Sequence, residues 1–423
     1  MTGELAHANI MEMILNLMSI STLSLGSSDY DLLENLTAVT KGSNSLISSN
    51  YQITGLGIEG DSQEFSNVTI KSTSIQNFTA DLGKGNDVLN IIGNVDSASI
   101  LFGSQTDTGN NRLDIRGDLT ANSSVLSNLE DSYSEYIDYT SSDVIGRNQI
   151  SGAAGNDSFK ISGSVDDTNF YMAAGNDSLI IGGAAADVYA NTGSGNDLVE
   201  FRGTTNNIIV QTDSGNDTII FRNELIGKEN YHDVTAAVEL GAGDDSLTLA
   251  NGASYAEINT GSGKDILRLT GDFTSTEFYL SDSVSLNTFG DSISISSNSE
   301  FYDSNFSSIN TLGDTLIVGS YSSWNDSDIN FADGNDSLVF GSNATFIDSR
   351  ISLGDGADTL VFGSNAIFDN TTIDLGGDDL IDVVRFSSQD DYNDVEFIGY
   401  DDTDIYYIGA AQYTFGGNSP ASS

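Results

Sequence analysis

Carboxylates set into glycine turns are the groups in this chain whose type and spacing point most directly to chemistry. They occur as Gly83-Lys84-Gly85-Asn86-Asp87, Gly193-Ser194-Gly195-Asn196-Asp197 and Gly261-Ser262-Gly263-Lys264-Asp265. With one glycine replaced they occur as Ala154-Gly155-Asn156-Asp157, Ala174-Gly175-Asn176-Asp177 and Asp333-Gly334-Asn335-Asp336. The closing Asp returns at 157, 177, 197 and 217, a step of twenty residues, and then at 245, 265, 291, 314, 336, 358 and 379 at nearly that step. Stacked turns of this kind would align their carboxylates about 5 Å apart, a self-repelling column that calls for something positive between its members. Calcium meets that need, because it accepts six or more oxygens, backbone carbonyls included, and tolerates irregular geometry. The same residues also have a metal-free reading, in which Asn-Asp and Asp-Ser pairs form turns closed by side-chain hydrogen bonds.

The elements that must carry these turns are short strands. Apolar residues stand two and four places after each Asp: Phe159 and Ile161, Leu179 and Ile181, Val199 and Phe201, Ile219 and Phe221, Leu247 and Leu249, Leu267 and Leu269, Leu338 and Phe340, Leu360 and Phe362. Alternation of this kind predicts strands leaving a turn, with the apolar pairs directed inward. A second turn follows, as in Gly341-Ser342-Asn343 and Gly363-Ser364-Asn365, and then a return strand with Ile208 and Val210, Val238 and Leu240, Ile329 and Phe331, or Ile351 and Leu353 inward. Two strands and two turns fill a period near twenty residues. A fixed period of this size predicts a solenoid whose coils are stable only against their neighbours. The expected fold is all-β, a right-handed parallel β-roll of about a dozen two-strand coils, with a short N-terminal helical cap and C-terminal closing strands. Proline occurs only at Pro420, so no strand interior loses a ladder donor to it.

Sixty-two acidic residues against fourteen basic ones give a formal charge of −48. That field opposes nucleic acid as a partner. Cysteine is absent, which removes disulfides and thiolate metal sites.

The glycine-aspartate phrase resembles the nonapeptide repeat of the RTX family, Gly-Gly-x-Gly-x-Asp-x-apolar-x, over roughly residues 80 to 385. The resemblance implies several calcium ions between the turns of successive coils, held by Asp carboxylates and turn carbonyls. The implied carboxylates are Asp87, Asp157, Asp177, Asp197, Asp217, Asp245, Asp265, Asp336 and Asp358. The implied turn glycines are Gly85, Gly155, Gly175, Gly195, Gly215, Gly243, Gly263, Gly334 and Gly356. Only one turn per coil carries the phrase here, so one flank is expected to hold metal. Phe289-Gly290-Asp291 and Leu312-Gly313-Asp314 have lost a position, Asn110-Asn111 lacks the Asp, and Gly376-Gly377-Asp378-Asp379 has its glycines shifted. These rungs are expected to be metal-free or ambiguous, and at Lys264 an ammonium group can stand in for an ion. The family also implies export by a one-step route read from the C-terminal segment, with acidic turns keeping the chain unfolded until it meets external calcium.

The expected organisation is a helical cap and lead-in over 1–43, metal-free starter coils over 44–80, the repeat over 81–385 with an insertion near 121–145, and closing strands with a flexible tail, a candidate export signal, over 386–423. The cap rests on Leu5, Ile10, Met11, Ile14, Leu15 and Met18 following Thr2. The leading functional expectation is a secreted, calcium-stabilised structural or surface protein, such as a surface-layer, matrix or adhesin component. Self-association into a filament or lattice and contact with surface polysaccharide are the expected partnerships, with no transmembrane segment. The alternatives are a polysaccharide lyase or epimerase on a parallel β-helix, and a glycan- or ice-binding roll. Enzyme chemistry has little material, since the histidines are His7 and His232 and no carboxylate pair stands apart. Arg202, Arg222 and Arg268 read either as charge relief beside acidic neighbours or as an anion-binding stripe. An ice-binding roll needs an outward Thr array, for which Thr192, Thr212 and Thr260 are the candidates. Trp324 reads as a packing residue or a sugar-stacking one.

Overall fold

The computed structural model describes residues 66–103, 109–120, 148–227, 236–280, 290–308, 312–388 and 395–415, with short strands between Ile14 and Glu59. Its structure is all-β, a parallel β-solenoid, in two units, Met1–Gly193 and Ser194–Ser423. No helix occurs among the described residues, and none is long and apolar enough to cross a membrane. Most of the expected helical cap lies outside the described residues. Within its span, Ile14–Leu15 is a strand paired in parallel with Thr37 and Ala38. The expected insertion, His7 and His232 likewise lie outside the described residues.

In the first unit, Asn44–Ser49 and Asn67–Asp81 pair in parallel and lead into Val88–Leu101, the strand that follows the first copy of the motif at Asp87. Arg112–Arg116, Ser158–Ile161 and Ser178–Ile181 then stack in register through Leu113↔Phe159↔Leu179. In the second unit the same first strand recurs as Leu198–Phe201, Thr218–Phe221, Ser246–Leu249, Ile266–Leu269, Ser292–Ile295, Thr315–Val318, Ser337–Phe340, Thr359–Phe362, Val383–Phe386 and Ile405–Ile408. Each is hydrogen-bonded in parallel to the next. The hairpin partner Ala411–Thr414 runs antiparallel to Ile405–Ile408 and follows the last of them.

The coil differs from the expected two-strand form. Its return limb is broken by a residue with positive φ into two short segments, as in Phe273–Thr274 and Glu277–Leu280, or Ser323–Asn325 and Asp328–Asn330. The breaking positions are Ser275, Asp303, Asp326, Asp348 and Asn370, with φ between 46° and 50°. Asp and Asn tolerate this left-handed region better than other side-chain-bearing residues. The sequence pattern concealed the corner because the limb keeps its apolar positions on both sides of it.

Three limbs leave three inward columns. In the second unit Phe273, Phe301, Trp324, Phe346 and Phe368 form one of them, with stacked rings 4.8, 4.1, 6.3 and 5.3 Å apart in turn. Phe340, Phe362 and Phe386 form another, 5.4 and 5.2 Å apart. Between columns the rings meet edge to face, for example Phe362 and Phe368 at 90°. Aromatic rings favour both arrangements over direct eclipsing. Trp324 is fully buried here, so it packs the core.

Candidate functional site

Every first strand is preceded by a buried polar residue, and these residues form a column. In the second unit the backbone N–H of Asp197 donates to Oδ1 of Asp217 at 2.8 Å. The same bond repeats from Asp217 to Asp245, Asp245 to Asp265, Asp265 to Asp291, Asp291 to Asp314, Asp314 to Asp336, Asp336 to Asp358, Asp358 to Asp382 and Asp382 to Asp404, at 2.7 to 3.0 Å. In the first unit it runs from Ser66 to Asp87, Asn111, Asp157 and Asp177. One oxygen of each carboxylate is thus held by an amide of the coil before it, which supplies part of the positive charge that the sequence pattern called for.

The preceding residue forms a second column of opposite direction. N–H of Asn216 donates back to Oδ1 of Asn196 at 2.9 Å, Asp244 to Asn216 at 3.1 Å, and Lys264 to Asp244 at 3.0 Å. Asn110, Asn156 and Asn176 do the same in the first unit. The Asn-Asp pair therefore ties each coil forward through one residue and backward through the other.

Glycine fits the turn because the turns stack closely. Gly175, Gly195, Gly215, Gly243, Gly263 and Gly334 take φ between 132° and 149°, and Gly85 takes 116°. A Cβ on Gly215 would lie 1.7 Å from the carbonyl oxygen of Gly195, and one on Gly356 would lie 1.5 Å from that of Gly334. A Cβ on Gly175 would meet the Gly155 carbonyl at 2.2 Å. The carbonyls between the glycines are partly committed: those of Ser214, Ala242 and Ser262 accept from Gly195, Gly215 and Gly243.

The second carboxylate oxygens differ from coil to coil. Oδ2 of Asp157 accepts from the amide of Ala153 at 2.8 Å, and Oδ2 of Asp404 from that of Asp401 at 2.8 Å, closing their own turns. Oδ2 of Asp245, Asp336 and Asp358 is buried with no hydrogen bond. Burial, joined by the charge of neighbouring carboxylates, pushes Asp245, Asp336 and Asp358 up to about 7, despite the amide each one accepts. Burial first, then Asp291, pushes Asp265 up to about 8, and burial takes Asp382 to about 8. Asp217 is raised by burial too, opposed by the Asp197 amide and the Thr212 hydroxyl. A buried carboxylate oxygen without a partner must take a proton or a cation. Among the described residues no three His, Cys, Asp or Glu side chains converge. A cation here would accordingly complete its shell from turn carbonyls and water, an oxygen-only set that suits calcium better than a transition metal.

The column extends beyond the sequence expectation. Asn111 takes an Asp place with an isosteric acceptor, Asp291 and Asp314 remain members despite their shorter turns, the shifted-glycine copy contributes Asp382 rather than Asp379, and Asp404 closes the column. Apolar residues two and four places onward, Val384 and Phe386, marked Asp382 in the sequence, but the glycines drew attention to Asp379. Thr192, Thr212 and Thr260 are buried beside the column, so they form no outward array. Thr212 Oγ1 donates instead to the carbonyl of Leu240 at 2.7 Å. Arg202 and Arg222 both bind buried Glu200, the former at 2.6 Å, and hold it below the usual carboxylate range. Arg268 donates to Ser246 Oγ at 3.1 Å.

No family model matches this chain, and no curated protein matches it. Among solved structures, one similar to it is described as a hyperactive, Ca2+-dependent, β-helical antifreeze protein from an Antarctic bacterium. The likeness covers 88% of this chain and 95% of that one, at 18% sequence identity and a TM-score of 0.50. At that identity it shows a shared fold, the β-solenoid.

Proposed function

We propose that this chain is a calcium-binding β-solenoid of the RTX type that works outside the cell as a structural or surface protein. The observation that carries this reading is the column of buried aspartates whose second oxygens, at Asp245, Asp336 and Asp358, meet no donor. Calcium shared between successive turns would satisfy those oxygens and offset the mutual repulsion of the column. The Ca2+ dependence in the description of the similar structure supports the same assignment. Low cytosolic calcium would then leave the column charged and the coils apart, and external calcium would complete folding after export. Catalysis has no support from the arginines Arg202 and Arg222, which are committed to Glu200.

Circular dichroism during a calcium titration, with magnesium as control, tests the reading. Calcium is expected to raise the β signal where magnesium does not, and a chain equally folded in chelator and in calcium overturns it.

A second reading is ice binding, supported by the description of that similar structure and by one feature of this one. Ser194, Ser214 and Ala242 lie in register on the outside of the turns, next to exposed Asn196 and Asn216. Thermal hysteresis of the calcium-loaded chain checks it, and its absence leaves the structural role.

A further inference from the structure

The outward side of the first strands carries a charge pattern opposite to that of the rest of the chain. In the second unit Arg268 and Arg385 lie on these strands and Arg202 and Arg222 one residue past their ends, against Glu200 as the one outward carboxylate among the described residues of these strands, buried between Arg202 and Arg222. The first unit, taken by itself, repeats the pattern with Lys71, Arg112, Arg116 and Lys160 against Asp114, which pairs with Arg112 and Arg116. Strand propensity alone does not explain this. The outward positions of the return limb have the same β conformation, yet in the second unit they carry Glu239, Glu257, Glu277, Asp328, Asp374 and Glu396, with Arg350 as their one cation among the described residues.

One outward column can be followed strand by strand as Arg268↔Ser294↔Ile317↔Val339↔Val361↔Arg385. Two arginine positions therefore bracket four uncharged ones, with five strand spacings or about 24 Å between their backbones. The neighbouring column, Ser292, Thr315, Ser337 and Thr359, is a row of hydroxyls. Ile317 is 50% exposed in the middle of the stretch. Both guanidinium groups lie along the sheet, with Arg268 reaching Ser246 and Arg385 set 3.9 Å above the ring of Tyr407.

The geometry points to this face of the second unit as a docking surface for an acidic polysaccharide with widely spaced carboxylates, a chain in which uronic acid alternates with uncharged sugars. Hydroxyl rows match sugar hydroxyls, Ile317, Val339 and Val361 match the apolar faces of sugar rings, and the separated arginines match charges that recur at intervals. A densely charged polyanion would be repelled by the acidic turns on the neighbouring edge of the same strands, whereas a sparse one can place its charges beside the arginines, which stand in columns away from that edge. This assignment rests on the surface-protein reading and names its partner.

The test is binding of the full chain to hyaluronan, which carries one carboxylate per disaccharide, with uncharged dextran as control. The wild type is expected to bind hyaluronan more tightly than dextran and to lose that advantage in about 0.5 M salt. The double variant Arg268→Glu/Arg385→Glu is expected to raise Kd about tenfold or more, while Arg350→Glu on the return limb leaves it unchanged. If circular dichroism shows the double variant misfolded, Arg268→Gln/Arg385→Gln replaces it, with the same direction and a smaller change. Equal affinity in wild type and double variant, as ion bridging through the acidic turns would give, overturns the assignment. No preference for hyaluronan over dextran does so as well, and so does self-association, seen by light scattering, that the double variant abolishes. Folding without calcium together with arginine-dependent hyaluronan binding would sink the calcium reading and leave this one, and calcium-dependent folding without hyaluronan binding would do the reverse.

Discussion

Two corners of the coil in the second unit solve the same problem with different chemistry. At one, the amide before each first strand donates to the carboxylate of the next coil, as Asp314 does to Asp336 at 2.7 Å. At the other, the amide before each second return segment donates to a hydroxyl: Thr276 to Ser304 at 3.1 Å, Ser304 to Ser327 at 3.1 Å, and Ser327 to Ser349 at 3.3 Å. Both columns are buried and run in the same direction. The hydroxyl corner shows that register can be kept without charge, since Ser satisfies the amide and returns its own proton to a local carbonyl, as Ser327 does to Asn325. The carboxylate corner adds negative charge that register does not require, and a second oxygen with no use inside the protein at Asp245, Asp336 and Asp358. The difference assigns stacking to both corners and responsiveness to ions and pH to only one.

The strongest way to break this comparison is to remove calcium near pH 8. The acidic corner is then expected to fail and to take the β signal with it, because each site at a hundredfold excess of ligand over Kd contributes about 2.7 kcal/mol. A chain that keeps its full far-ultraviolet signal and denaturation midpoint in chelator would place both corners on the same footing. The pH dependence of the metal-free chain sharpens the point. In the folded chain Asp245, Asp336 and Asp358 stand near 7, and Asp265 and Asp382 near 8, against about 3.9 for an unfolded Asp. The folded state therefore holds more protons than the unfolded one. Its stability in chelator is full below about pH 4 and is lost as pH rises through about 7 to 8. Urea midpoints from about pH 5 to about pH 9 check this, and a midpoint that climbs with pH contradicts it.

Gly215→Ala is expected to cost about 2–4 kcal/mol, with or without calcium, because its Cβ would meet the Gly195 carbonyl at 1.7 Å. Thermal denaturation of the calcium-loaded variant measures it, and a loss confined to chelator would show that close stacking matters less than the ion. Asp245→Asn keeps the acceptor for the Asp217 amide, as Asn111 does naturally, while removing a buried charge. It is expected to stabilise the metal-free chain at pH 8 by about 1–2 kcal/mol and to remove calcium from the count obtained by calorimetric titration. The smallest effect belongs to the hydroxyl corner, where Ser327→Ala is expected to cost about 1 kcal/mol by the same amount in calcium and in chelator.

Much of this comparison is legible in the sequence. The inward pairs from Phe159 and Ile161 to Leu360 and Phe362 are all buried, because alternation reports the pleat directly. The acidic turn announced itself through glycines that only close stacking requires. The hydroxyl corner did not, since Ser304, Ser327 and Ser349 lie among many other serines and their spacing carries no glycine or charge to mark it. The repeat spacing groups Arg202, Arg222 and Arg268 as a candidate stripe but leaves Arg385 out of it. That Arg268 and Arg385 share a column depends on the register of strands more than a hundred residues apart, which no local pattern contains.

The aspartate bond takes no account of how much chain separates its two partners. It is 2.7 Å long across 20 residues from Asp157 to Asp177, across 28 from Asp217 to Asp245, and across 46 from Asn111 to Asp157. Foreign peptides or whole folded modules can therefore be grafted between Thr120 and Asn148, or between Gly227 and Ala236, with the coils on either side still clasping one another, which makes the spiral a natural display scaffold.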